Sequence, residues 1–203
     1  HQRNQAIVHQ FIETQSDPFK EDCDQLKKIS CQKGDYGYYS ALDRIGFEEK
    51  STGFLEHLQK FWRKHFFANE FLHHDAPMPG AVEWVQNLEK NHIPFYYLTA
   101  RHKDSMWPGT LQSMANLGFP ISEKNLFLKE DLSVSDETYK SLIFSNQLSN
   151  RDRKRCLIDN EPVVLNKILN DHPDIALVWF RSTHSGKMEP PPSALEIQDF
   201  NFK

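Results

Sequence analysis

The chain contains three residues, Thr99, Lys140 and Asp159, whose side chains suit the binding of anions or metal ions and whose positions relative to apolar runs indicate a shared site. Thr99 and Asp159 each follow an apolar run, and Lys140 lies in a helix-like segment between them. A hydroxyl group and an ammonium group bind anions, while a carboxylate binds hard cations such as Mg²⁺. The three residue types together indicate chemistry on a small anionic molecule.

Thr99 belongs to the sequence LTAR, which ends an apolar run. Ligands of parallel α/β sheets bind at the carboxyl ends of the strands. The hydroxyl group of Thr99 and the backbone N–H groups of Ala100 and Arg101 are therefore candidates to bind an anion, with the Arg101 guanidinium nearby. The alternative interpretation is that Thr99 only caps the helix that follows.

Asp159 and Asn160 end a second apolar run in CLIDNEP, and Pro162 opens the next helix. Carboxylate and amide oxygens suit Mg²⁺, so we expect Asp159 and Asn160 to bind the metal, with Glu161 as possible support. The alternative is that Asp159 caps the helix that begins at Pro162.

Lys140 lies in ETYKSLIF, the predicted helix that leads to the CLID run. An ammonium group at this place can neutralise a phosphate or hold a carboxylate. Lys124 and Lys129 are alternatives for the same role, and most lysines on helices are simply solvated.

The elements that must position these residues alternate from Pro79 onward. The pattern predicts helices at 81–90, up to 116, 135–148 and 163–170, and strands at 94–99, 125–129, 156–159 and 175–180. Short apolar strands separated by helices are typical of a parallel sheet covered on both faces. We therefore predict an α/β fold with a Rossmann-like core, followed by an irregular tail over 188–203.

Residues 14–75 have a different pattern, because Phe54, Leu58 and Phe61 recur at helical spacing and no strand-like run occurs. This segment is predicted to be a small helical unit. The run His73, His74 and Asp75 is interpreted as a polar hinge, because suitably spaced partners for a metal site are missing.

Composition limits the class of protein. The chain has 203 residues, a net charge of −4 and three cysteines. These values do not indicate binding to nucleic acid, and no run approaches the roughly 18 apolar residues of a membrane span. An odd number of cysteines favours a reducing compartment, so a cytoplasmic location is expected, with a removed signal peptide as the alternative. Oligomeric state stays open.

Thr99 in LTAR, Lys140 in YKS and Asp159 in LIDNEP resemble, in order and spacing, the motifs of the haloacid dehalogenase superfamily. The resemblance covers Pro79 to about Lys187 and looks most like the acid-phosphatase-type branches. It implies a core at 76–203, a helical cap at 14–75, and a segment at 1–13 that follows the family's first motif.

The resemblance also implies a function, which is Mg²⁺-dependent hydrolysis of a small phosphorylated substrate through an aspartyl-phosphate. Thr99 and Lys140 would be catalytic, and together with Ala100 and Arg101 they would bind the phosphoryl group. Asp159 and Asn160 would hold Mg²⁺. A catalytically inactive binding or regulatory module is the alternative, and a phosphotransferase or dehalogenase is a third hypothesis.

The family's first motif, DxD directly after an apolar strand, does not occur in this sequence. The resemblance places that strand between the strands that end in Thr99 and Asp159. Without it, buried N–H and C=O groups would stay unpaired at a cost of about 1 to 3 kcal/mol each. We therefore expect residues to precede His1 in the complete protein, with the nucleophilic aspartate among them.

Overall fold

A computed structural model describes residues 1–15, 17, 19–148 and 154–201. The described chain is mixed α/β and divides into two compact units. The first consists of His1–Ala76 and Pro108–Ser113, and the second of Pro77–Trp107 and Met114–Lys203. No helix among the described residues is both long and apolar enough to cross a membrane.

The first unit is helical. Its elements are α1 (Gln2–Gln15), α2 (Lys20–Leu26), α3 (Tyr39–Arg44), α4 (Phe54–Phe66) and a 3-10 helix (Leu72–His74). The described part of 14–75 contains no strand, as the sequence pattern predicts. The expected boundary between 13 and 14 falls inside α1, whose apolar residues join the same core as α2 and α4.

Aromatic contacts dominate that core. The Phe11 ring lies with its centroid 5.6 Å from Phe54 and 5.3 Å from Phe61, both edge-to-face.

Asp22 of α2 is also fully buried, and its carboxylate accepts hydrogen bonds from the backbone N–H groups of Lys50 (2.7 Å) and Ser51 (3.0 Å). The buried charge is thus hydrogen-bonded, as buried polar groups require.

The second unit contains the predicted alternation of helices and strands. Its elements are α5 (Ala81–Lys90), β1 (Tyr97–His102), α6 (Lys103–Asn116), β2 (Leu126–Lys129), α7 (Asp136–Asn146), β3 (Cys156–Asp159), α8 (Pro162–Asp171), β4 (Ala176–Phe180) and β5 (Leu195–Ile197). The middle of α6 belongs to the first unit. The helix predicted over 135–148 is shorter than expected, since α7 ends at Asn146.

All strand pairs are parallel, but they form two sheets. β1 pairs with β2, and β3, β4 and β5 pair in that order. The prediction of an α/β protein with parallel strands is confirmed. The described strands do not form the single continuous sheet of a Rossmann-like core.

The tail was predicted to be irregular, and this prediction was wrong for β5. Phe180 of β4 is in register with Ile197, which is buried. Phe200 then stacks on Phe180 with ring centroids 5.2 Å apart. Three strand residues after a proline run are too few to show the alternation that identifies a strand in sequence.

The core of the second unit lies between β3, β4, α7 and α8. Its buried members are Phe144, Leu157, Val164, Leu165, Ile168, Ile175 and Leu177, with Leu98 of β1 packed against them. Cys156, the first residue of β3, lies in an apolar run of the sequence, where a thiol usually behaves as a small buried apolar group, but it is exposed.

Candidate functional site

A cleft of about 470 Å³ lies in the second unit. Residues of β1, β3 and α7 and of the segments around them form its walls: Met78, Leu98, Thr99, Ala100, Lys140, Ile158, Asp159, Asn160, Phe180, Ser182 and Phe200. Polar side chains from three separate elements therefore converge on one cleft, whose walls also contain apolar side chains.

Strands β1 and β3 both border this cleft. Among the described residues, β1 has only β2 as a strand neighbour and β3 has only β4. Each strand therefore has one edge without a strand partner in the described chain. Unpaired edges in the interior of a protein are costly, because their N–H and C=O groups need hydrogen-bond partners.

Thr99 lies within β1 and not at its end, because the strand continues to His102. The regular register with β2 nevertheless stops at the pair Thr99 and Leu128, after which it shifts. The Thr99 hydroxyl accepts a hydrogen bond from the backbone N–H of Arg101 at 3.3 Å. That N–H group was one of the two predicted to bind an anion.

Of the predicted anion-binding residues in this strand, Thr99 and Ala100 line the cleft. Arg101 is not among the lining residues. The positive group that lines the cleft is the ammonium of Lys140, the fifth residue of α7. Ser135 caps the start of α7, since its hydroxyl accepts a hydrogen bond from the N–H of Thr138.

Lys140 and Asp159 form an ion pair at the cleft, with Nζ 2.5 Å from Oδ2. Their side chains are only 12% and 7% exposed. Burial weakens screening by water, so such a pair is held more strongly than a surface pair. Because both side chains are buried, removal of either partner should lower the stability of the fold strongly.

The second carboxylate oxygen of Asp159 accepts a hydrogen bond from the backbone N–H of Glu161 at 2.9 Å. Asp159 therefore organises the turn that leads into α8, which is close to the structural alternative considered for it. This role is compatible with a place at the cleft, because a single carboxylate can accept several hydrogen bonds.

Asn160 lines the cleft, and its amide nitrogen donates to the carbonyl of Thr183 at 2.7 Å. Glu161 is not a lining residue, because its carboxylate accepts hydrogen bonds from the backbone N–H (3.0 Å) and the hydroxyl (2.6 Å) of Ser185. Both carboxylate oxygens of Glu161, the residue suggested to support a metal, therefore contact the segment after β4.

The two alternative lysines lie elsewhere in the second unit. Lys129 is buried at the end of β2, where Nζ lies 2.7 Å from Oδ1 of Asp136, and it does not line the cleft. Lys124 is exposed and does not line the cleft. Lys140 is therefore the lysine that the structure brings to Thr99 and Asp159.

The donor set for a metal is partial. Asp159 and Asn160 supply the oxygen ligands that Mg²⁺ prefers, and Mg²⁺ commonly takes one or two carboxylates together with substrate oxygens and water. The described residues contain no group of three or more His, Cys, Asp or Glu side chains that could hold a metal. A metal at this cleft would need further oxygen ligands.

The run His73, His74 and Asp75 in the first unit is not arranged as a metal centre. Asp75 pairs with Arg3, with Oδ1 3.2 Å from Nε. The rings of His73 and His74 lie 4.0 Å apart, and burial together with the His73 charge lowers the pKa of His74. These contacts agree with a polar structural segment.

Sequence reasoning missed three lining residues that come from irregular segments, namely Met78, Ser182 and Phe200. Only the position of Ser182, two residues beyond an apolar strand, carried a usable signal. By the rule that ligands bind at the carboxyl ends of parallel strands, it was a candidate of the same kind as Thr99.

Comparisons of the chain with protein-family models, with curated proteins and with solved structures found no match. Membership of the haloacid dehalogenase superfamily therefore stays a prediction from the motifs and their placement.

Proposed function

We propose that the protein is a Mg²⁺-dependent phosphomonoester hydrolase of the haloacid dehalogenase type, with its active site in the cleft of the second unit. The observation that supports this proposal is the convergence of Thr99, Lys140 and Asp159 on one cleft that β1 and β3 border. These are the residues that the motif resemblance nominated independently of any structure.

Each residue has a role that suits its chemistry. The Thr99 hydroxyl and the Lys140 ammonium would bind the oxygens of the transferring phosphoryl group, whose charge increases their attraction for cationic and donor groups. Asp159 and Asn160 would hold Mg²⁺, which offsets the negative charge of the phosphate. Ala100 would contribute its backbone N–H.

The nucleophile in this proposal is an aspartate on a strand that lies between β1 and β3. Such a strand would join the two sheets in the order β2, β1, inserted strand, β3, β4, β5, which is a continuous Rossmann-like sheet. Both strand edges would then be paired, and the inserted strand would occupy the apolar part of the cleft between β1 and β3, which leaves the polar residues of the cleft for the phosphoryl group. The motif resemblance assigns this strand to residues that precede His1.

In the reaction, a carboxylate oxygen of that aspartate would attack phosphorus while the ester P–O bond breaks, and the leaving alcohol would take its proton from the second aspartate of the DxD motif, which the resemblance assigns as general acid and base. Water would then hydrolyse the acyl phosphate and regenerate the carboxylate. Lys140 would stabilise negative charge on the phosphoryl oxygens.

The proposal is tested by incubating the complete protein with Mg²⁺ and a panel of phosphate monoesters while inorganic phosphate is measured. Asp159→Asn should abolish metal-dependent release, because the substitution removes the negative charge of the carboxylate that attracts Mg²⁺. Asp104→Asn is the matched control, since Asp104 is an exposed residue of α6 outside the cleft lining. Full activity of the Asp159 variant would overturn the metal assignment.

A second candidate function is a binding or regulatory module with the same fold. It is favoured by the Lys140–Asp159 ion pair, in which the candidate phosphate ligand and the candidate metal ligand satisfy each other. Asp159 is moreover the single acidic side chain that the described residues bring to the cleft. A complete protein that binds phosphate at the cleft but turns over no ester would support this candidate.

A further inference from the structure

The segment that follows β4 carries Ser182 into the wall of the cleft. No hydrogen bond from the Ser182 hydroxyl to another described residue is present. A hydroxyl group at a cleft has one proton to donate and two lone pairs to accept, and it is available to a ligand when the protein does not use it. Ser182 therefore differs from Thr99, whose hydroxyl already accepts a hydrogen bond.

Ser182 lies between two fixed points of the backbone. On one side, the N–H of Arg181 donates to the carbonyl of Ile197 in β5 at 2.7 Å, and the Arg181 guanidinium pairs with Glu196 at 3.0 Å. On the other side, the carbonyl of Thr183 accepts the amide of Asn160. The position of Ser182 is thus set from both directions.

Glu161 extends this anchoring to Ser185. One carboxylate oxygen accepts the backbone N–H of Ser185 at 3.0 Å, and the other accepts its hydroxyl at 2.6 Å. Hydrogen bonds to an ionised acceptor are stronger than neutral ones. The backbone of Glu161 is itself held, since it precedes Pro162 at the start of α8 and donates its N–H to Asp159.

The Asp159–Glu161 turn and the segment after β4 are therefore one connected structure. Asp159 is fixed by Lys140 and by Glu161, and Asn160 and Glu161 hold Thr183 and Ser185. The indole N–H of Trp179 adds a further bond to the Asn160 carbonyl at 3.3 Å. The hydroxyl group of Ser182, which follows β4, and the carboxylate of Asp159, at the end of the neighbouring β3, thus line the same cleft.

We propose that Ser182 contacts the phosphorylated ligand through its hydroxyl and that Glu161 is the positioning residue that holds the Ser182 segment at the cleft. This inference rests on the proposed function, because it assumes that the cleft binds phosphate. It adds to the motif residues a ligand contact at the end of β4. It also assigns Glu161 a role through Ser185 and not through a metal.

The test uses the complete protein, inorganic phosphate with Mg²⁺ as the titrant, and calorimetry for the dissociation constant. Ser182→Ala should weaken phosphate binding roughly 10-fold, which is the usual effect of losing one hydrogen bond to a charged partner. Ser182→Thr keeps the hydroxyl and should restore most of the affinity. Hydrogen exchange at residues 182–186 should be unchanged in both variants.

The hydrogen bonds between Glu161 and Ser185 anchor the segment that contains Ser182. Glu161→Gln and Ser185→Ala each weaken this anchor by changing one of its two partners. Both should accelerate hydrogen exchange at 182–186 and weaken phosphate binding by a smaller factor than Ser182→Ala. Combining Glu161→Gln with Ser182→Ala should weaken binding no further than Ser182→Ala alone, because the anchor acts through that hydroxyl. Glu189→Gln, an exposed change, is the control that should alter neither readout.

The outcomes separate this inference from the proposed function. Unchanged affinity in Ser182→Ala, in a protein that does bind phosphate, would overturn the inference and leave the proposed function intact. Unchanged exchange in Glu161→Gln would overturn the positioning role. Absence of phosphate binding and turnover in the unmodified protein would contradict the proposed function, and with it the ligand role of Ser182.

Discussion

The ammonium nitrogen of Lys140 lies 2.5 Å from a carboxylate oxygen of Asp159, and both side chains are almost completely buried. The two residues come from α7 and β3 and are 19 positions apart in the chain. A buried ion pair contributes little net stability when it is compared with an apolar pair, but the loss of one partner is expensive. The burial of the pair can therefore be tested by comparing the loss of stability when one partner is removed with the loss when both are replaced.

Lys140→Met should destabilise the protein by about 3 to 5 kcal/mol, because the Asp159 carboxylate would stay buried without its cation. Adding Asp159→Asn should recover much of this loss, since the amide is neutral and still accepts the N–H of Glu161. Urea unfolding measures both effects.

The matched control for that experiment is Lys103→Met. Lys103 pairs with Glu130 at 2.5 Å, but both side chains are substantially exposed. Surface pairs contribute about 0 to 1 kcal/mol. Equal losses for Lys140→Met and Lys103→Met would contradict the view that burial of the Asp159 pair controls its cost.

Asp22→Ala should destabilise the helical unit by about 2 kcal/mol, because the backbone N–H groups of Lys50 and Ser51 would be buried without an acceptor. Asp24→Ala, in the same helix, is the control: Asp24 is exposed and pairs with Lys27 on the surface. Thermal unfolding monitored by circular dichroism distinguishes the two. A variant of Asp22 as stable as the Asp24 variant would be incompatible with a structural role for this carboxylate.

Cys31 should make the stability of the protein depend on alkaline pH. Burial raises the pKa of its thiol from 9.0 to about 11, so the folded state holds the proton more tightly than the unfolded state. The stabilisation is complete below pH 9 and is lost as the pH rises through 11.

Urea midpoints of the wild-type protein and of Cys31→Ser, measured from neutral pH upward, isolate this contribution. The difference between the two curves should change over that alkaline interval, while the buried tyrosines titrate equally in both proteins. A constant difference across the interval would show that Cys31 titrates with an ordinary pKa.

Much of the second unit is predictable from sequence. The helical period of 81–90 and the apolar runs before Asp159 and Lys129 identify α5, β3 and β2, because these segments are long or bounded enough to show their periodicity. Thr99, Lys140 and Asp159 line one cleft. Their chemical roles stay predictions.

Other features depend on tertiary contacts that no local pattern encodes. β5 has three residues and is identified only by its pairing with β4. Ser182 reaches the cleft because Ile197 and Asn160 hold its neighbours, and both bonds connect segments more than fifteen residues apart. The hydrogen bond between Ser185 and Glu161 joins segments that are similarly far apart in the chain.

If the proposed function is right, an aspartate at the cleft receives the phosphoryl group of the substrate during turnover. The most direct test of this proposal is intact-protein mass spectrometry of the complete protein, acid-quenched during turnover of a phosphate monoester with Mg²⁺. We expect a transient mass increase of one phosphoryl group that localises to an aspartate, is removed by hydroxylamine and is absent in Asp159→Asn. Turnover without such an adduct, or an adduct that forms equally in Asp159→Asn, would contradict it.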